Sequence, residues 1–266
     1  MFRFTRKTTS VGLITVGIAI MLLLSAVPGA VAHELWVNAL GQQGELFRAD
    51  IGYGHSFPDA EPIAADRVHI FRPLQLVTPE GKVTLDQVGE NYAYQKKIVL
   101  KKGSYLVLGF YRPTFWSKGP EGWKQTDRIQ RPDATYVEEA IMCAKTICNI
   151  QGAAADDLIT KPSGQRLEIV PKSNPSAVGK NEKLIVQVLC DGKPVKGTDV
   201  EAILAGSSDN KNKAFTGKTD DQGIVAIPPL QPGYWQLKAK HAYDHPDQKR
   251  ADEVVVVATL TFRIDE

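Results

Sequence analysis

The chain has 266 residues, a formal net charge of +2 and 43% hydrophobic residues, with 32 basic against 30 acidic side chains. Three of the positive charges (Arg3, Arg6 and Lys7) sit in the first seven residues, so a chain lacking that stretch would carry 2 − 3 = −1. So balanced a charge offers no electrostatic basis for binding nucleic acid or an anionic membrane surface.

Residues 1–32 read as a secretory signal peptide. The positive start is followed by the apolar run "VGLITVGIAIMLLLSAV" and by the small-x-small site Ala30-Val31-Ala32. Cleavage after Ala32 leaves 266 − 32 = 234 residues, with His33 at the new N-terminus. No later apolar run reaches the length of a spanning helix. The expected product is therefore periplasmic or otherwise secreted, with no membrane insertion after cleavage.

The mature chain reads as mainly β, in two β-sandwich-like domains. Over residues 33–165, period-two patterns run through "GELFRADIGYG", "RVHIFRPLQLVTPEGKVTL" and "KKIVLKKGSYLVLGFYR". The Pro-Glu-Gly-Lys and Lys-Lys-Gly-Ser segments read as hairpin turns between these strands. "PTFWSKGPEGWKQTDRIQRPD" reads as a long surface excursion. "ATYVEEAIMCAKTICNI" reads as one helix, with Val137, Ile141, Ala144 and Cys148 down one side.

Residues 166–266 hold short strands with turn residues at regular intervals, among them Asp191-Gly192 and Asp221-Gln222-Gly223. That spacing predicts an immunoglobulin-like β-sandwich. Cys143, Cys148 and Cys190 form no CxxC pair and read mainly as buried small residues; one bridge among the three is open.

All five histidines lie beyond the leader. Strand parity puts His55 on the side of Phe47, Ala49, Ile51 and Tyr53, and His241 on the side of Trp235, Leu237 and Ala239. His69 falls opposite Val68 and Ile70 and is expected to face solvent. His245 lies in the loop "HAYDHPD". Once cleavage frees its α-amine, His33 offers two nitrogens to a metal, so His33, His55 and His241 together could supply four. Neutral nitrogen donors suit Ni(II), Co(II) and Cu(II). Glu34, Asp59, Asp244 and His245 are candidate additional ligands. No G-x-S-x-G elbow or other nucleophile motif stands out, so a non-enzymatic metal binder is expected. The alternatives are a copper enzyme built on an amine-histidine and a second histidine, and an envelope scaffold or adhesion module without metal.

The combination of "AHELWV", "GYGHSFPDAEPI", "GFYRPTFWSKGPEGW", "AKTIC" and "DGKPVKGTDVEAI…TDDQGIVAI…PGYWQLKAKH" resembles the periplasmic components of cobalt and nickel uptake transporters. The resemblance implies capture of Ni(II) or Co(II), Cu(II) being the weaker candidate, and delivery to a membrane permease of an ABC-type transporter. It maps the family's histidines to His33, His55 and His241.

Overall fold

A computed structural model describes residues 33–89, 92–152, 157–206 and 213–265. The leader assigned to residues 1–32 lies outside the described residues. In the first half, the strands are β1 (Glu34–Gln43), β2 (Leu46–Gly54), β3 (Phe71–Thr78), β4 (Gly81–Thr84), β5 (Asp86–Gln87), β6 (Ala93–Lys97), β7 (Gly103–Gly119), β8 (Gly122–Lys124) and β9 (Tyr136–Ile150). The second half holds β10 (Leu167–Pro171), β11 (Leu184–Cys190), β12 (Lys193–Pro194), β13 (Asp199–Leu204), β14 (Phe215–Lys218), β15 (Ile224–Ile227), β16 (Gly233–Asp244) and β17 (Glu253–Ile264). Two 3₁₀ turns, Ala65–Ile70 and Pro175–Ala177, are the helical elements among the described residues, and neither is long and apolar enough to cross a membrane.

A nine-stranded sheet in the order β14-β13-β16-β17-β9-β7-β3-β4, with β8 added beside β7, forms the central layer. A sheet β1-β2-β6-β5 covers one of its faces, and a sheet of β10, β11, β12 and β15 covers the other. The chain is mainly β, as its alternating patterns imply. Strands β10–β11–β15 facing β14–β13–β16–β17 reproduce an immunoglobulin-like sandwich, with antiparallel pairing inside each sheet. Segments on either side of residue 165 share the central sheet through a parallel β17–β9 pair, and the described residues form one compact unit.

The segment expected to be helical is strand β9, and the reason is burial on both faces. Ile141, Cys143 and Ile147 pack into the core under β10 and β11, while Met142, Ala144, Cys148 and Ile150 pack into the core under β1 and β2. A strand between two layers loses its polar alternate positions and reads as a continuous apolar run, indistinguishable by period from a buried helix. The same parity sends Cys143 and Cys148 to opposite cores.

Two further expectations are revised. The first part of the 113–133 excursion is ordered pairing, because β7 continues to Gly119 and turns back into β8, whereas 125–133 lies in no strand. Lys-Lys-Gly-Ser is not a hairpin: it carries the chain from β6 in the covering sheet to β7 in the central one. By contrast, Asp191 and Gly192, both at positive φ, turn β11 directly into β12.

One charged pair is wholly internal. Lys145 of β9 donates to Glu168 of β10 at 2.7 Å, with 1% and 2% of the two side chains exposed. Glu168 also accepts from Ser163 N and Oγ and from Gly164 N, so the segment leading into β10 is fastened to the central sheet.

Candidate metal centre

Strands β1 and β2 form an antiparallel hairpin whose register pairs Glu34 with Gly54 and Leu35 with Tyr53. One step beyond Glu34, the same register sets His33 opposite His55. Their rings lie 3.9 Å apart between centroids, at an interplanar angle of 50°. His33 also stacks on Tyr53 at 4.7 Å and 14°, which fixes its ring on the apolar side of the hairpin.

The third member comes from the loop that follows β2. Glu61 N donates to Tyr53 O at 2.8 Å, folding residues 55–61 back over the strand end. Gly54 makes this close approach possible, since a Cβ there would meet Asp59 O at 3.2 Å and Glu61 Cγ at 3.3 Å. Phe57, 3% exposed, anchors the loop by packing on Trp36 and Tyr234. The result is a bridging carboxylate: Glu61 Oε2 lies 3.1 Å from His33 Nε2, and Glu61 Oε1 lies 2.5 Å from His55 Nδ1. His55 N donates to the same Oε1 at 3.2 Å.

The electrostatics favour neutral imidazole beside an ionised carboxyl. Burial, and then the neighbouring His55, push the His33 pKa below its ordinary value, outweighing the pull of Glu61. The hydrogen bond with His55, reinforced by that with His33, holds the Glu61 carboxyl below its ordinary range. One ligand atom from each of the three residues lies within 4.8 Å of the other two, on a solvent-accessible rim. Metal–ligand bonds of about 2.0–2.2 Å keep donors about 3–4 Å apart, so small side-chain rotations close this set around a cation. Two imidazole nitrogens and a carboxylate oxygen form a donor set for divalent first-row metals, and the open rim leaves positions for further ligands.

Of the residues singled out from sequence, the structure brings His33 and His55 together and leaves His241 apart. His241 pairs with Val256 and meets the Tyr243 ring at 5.6 Å and a tilt of 37°, on the face of the central sheet covered by β10 and β11. Strand β1 lies over the opposite face, where Thr259 and Thr261 of β17 donate to Leu35 O and Val37 O. The sheet itself therefore stands between His241 and the cluster. Parity within β16 was correct but could not say which covering layer its apolar face meets.

The supplementary ligands are also displaced. Glu34, next to His33, points to the other side of β1 and pairs with Lys238. Asp59 is exposed and bridges by backbone to Ser56. Asp244 is exposed at the end of β16, opposite Glu253. His245 is buried and occupied: its Nδ1 accepts from Asp247 N at 3.0 Å, its Nε2 lies 3.5 Å from Glu139, and its ring meets Phe115 edge-on. Glu61 is the member that sequence reasoning missed. The cue was "GHSFPDAE", a turn-rich stretch that returns an acid to the strand end it has just left.

Among solved structures, the chain is similar to native alpha-2-macroglobulin from Escherichia coli spanning domains MG0-NIE-MG1, at 11% identity and a TM-score of 0.23, covering 88% of this chain and 72% of that one. It is similar also to the D0-D1 domain of intimin, at 14% identity and a TM-score of 0.22, covering 86% of this chain and 97% of that one. Superposition at that level bears on neither chemistry nor partners. No curated protein matches the chain in sequence. Residues 30–243 match the domain of unknown function DUF4198, and the chain belongs to that family.

Proposed function

We propose that this protein is an extracytoplasmic, non-catalytic binder of Ni(II) or Co(II) that hands its cargo to a membrane permease of an uptake transporter. The observation that carries the reading is the meeting of His33, His55 and Glu61 at one strand end, each supplying a ligand atom within 4.8 Å of the others. Removal of the leader after Ala32 would add the α-amine of His33 as a fourth donor beside its own imidazole. The sequence likeness to cobalt and nickel uptake components, spread over the mature chain, favours these two cations over Cu(II). An accessible rim suits a carrier, because an acceptor can displace ligands stepwise without the fold opening.

The test is calorimetric titration of metal-free protein beginning at His33 with Ni(II), Co(II) and Cu(II). Tight one-to-one binding that weakens at least about tenfold (about 1.4 kcal/mol) in His55→Ala and Glu61→Ala is expected. One extra residue before His33 should weaken it further than any change at His241. Equal affinity in wild type and His55→Ala would end the reading.

A further inference from the structure

A second site lies on the other side of the central sheet. Strands β3 and β4 and the adjoining part of β7 extend beyond the layer formed by β10 and β11, and the segment 163–166 runs along that uncovered face. Between them is a groove of about 460 Å³ whose walls carry Arg72, Lys82, Arg112 and Arg166 and no acidic side chain. That volume falls in the range of small-molecule pockets, roughly 300–1,000 Å³.

The groove is preformed. Its outer wall is held by Glu168, which accepts from Ser163 and Gly164 and is itself fixed by Lys145. Gln165 Nε2 donates to Gly109 O at 3.1 Å and to Ala144 O at 2.9 Å, tying the same wall to β7 and β9. Lys82 Nζ donates to Ser163 O at 2.7 Å, closing one end. The Arg72 guanidinium lies 4.4 Å above the Phe110 ring, an arrangement that orients the planar cation while leaving its N–H edge free to donate.

The charges are unbalanced. Arg166 has Asp191 at 3.9 Å and the Tyr243 hydroxyl as partners. Neither Arg72 nor Arg112 has an acidic partner among the described residues. Four like charges around one groove repel one another, and the field they sum to draws in a counter-charge. Guanidinium forks pair with carboxylate and phosphate oxygens through two parallel hydrogen bonds.

We infer that the groove between segment 163–166 and strands β3, β4 and β7 is a binding site for a small, multiply charged oxyanion, held by Arg72 and Arg112 and closed by Lys82 and Arg166. The site is independent of the histidine cluster, which belongs to the opposite covering layer. Convergence of the four basic side chains on one groove of about 460 Å³ suits a free anion, and the experiment separates this occupant from a lipid headgroup.

Metal-free protein is titrated with citrate and with inorganic phosphate at constant ionic strength, by calorimetry and by thermal melting. Saturable one-to-one binding of at least one probe is expected. Arg72→Gln combined with Arg112→Gln should weaken it at least tenfold with an unchanged melting temperature in the absence of anion, because both side chains are exposed. Arg72→Lys combined with Arg112→Lys, which keeps charge but removes the forks, should fall between the two. Lys180→Gln combined with Lys249→Gln removes two exposed charges elsewhere and should change nothing. No saturable binding, equal binding in the Arg72→Gln/Arg112→Gln protein, or equal weakening by the distant lysine pair would each overturn the proposal. So would retention only by vesicles containing phosphatidylglycerol, with no response to either free anion.

Discussion

The imidazoles of His33 and His55 stand 3.9 Å apart because an antiparallel hairpin makes them cross-strand neighbours, and Glu61 ties the pair together from the loop beyond. Such a pair is costly if both rings are protonated and favourable if a shared cation replaces the protons.

Metal affinity should follow the cluster and not the count of histidines. His33→Ala, His55→Ala and Glu61→Ala are each expected to lose at least about tenfold in Ni(II) affinity, whereas His241→Ala and His245→Ala stay within about threefold, one factor of ten being about 1.4 kcal/mol. Saturating metal should raise the melting temperature of wild type, by a stabilisation of about 2.7 kcal/mol at a free concentration of 100 Kd. Calorimetry and thermal melting on the five variants read both effects.

Acid should destabilise the metal-free protein in two steps of the same sign. The folded His33 titrates below its ordinary value, chiefly through burial, so between the two pKa values the unfolded chain binds more protons. Stability therefore falls as pH drops below about 6.5, until the folded ring protonates as well. Glu61, held below its ordinary range first by its hydrogen bond with His55, contributes stability above about pH 4.3 that is lost as pH falls through its folded pKa. Melting followed by circular dichroism should show His33→Ala flattening the upper step and Glu61→Gln the lower one. A curve unchanged by either variant would contradict this assignment.

The Lys145–Glu168 pair should behave as a buried ion pair. Burial alone raises a carboxyl pKa, but the adjoining ammonium and the Ser163 donors outweigh it and keep Glu168 ionised. Removing one partner leaves an uncompensated charge, and Lys145→Met or Glu168→Leu should each cost about 3–5 kcal/mol. Urea denaturation should also show that the double variant costs less than the sum of the two.

Gly52→Ala tests the packing beneath the metal cluster. A Cβ at residue 52 would sit 2.0 Å from the indole of Trp36, its cross-strand partner, and Trp36 is fully buried. Overpacking of this kind costs about 1–3 kcal/mol. Because β1 carries His33, metal affinity should drop with stability, and a variant that unfolds at its wild-type denaturant midpoint would refute the contact.

What could be read from residues alone was local and periodic. Alternation identified β2, β3, β16 and the inward parity of Phe47 through Tyr53, and turn residues marked the Asp191-Gly192 reversal. His33 and His55 stood out because one follows a cleavage signal and the other ends an apolar strand side. The tertiary structure decided everything that depended on which layer meets which face. Strand β9 imitated a helix because two cores consume both of its faces. His241 has the inward parity of its strand, yet that strand faces the layer away from His33. Glu61 carries no periodic signal at all, since its position comes from a loop folding back at Gly54. Parity is a property of the backbone and is therefore legible in one dimension. Convergence of side chains depends on sheet order and layer stacking, which are set by long-range pairing.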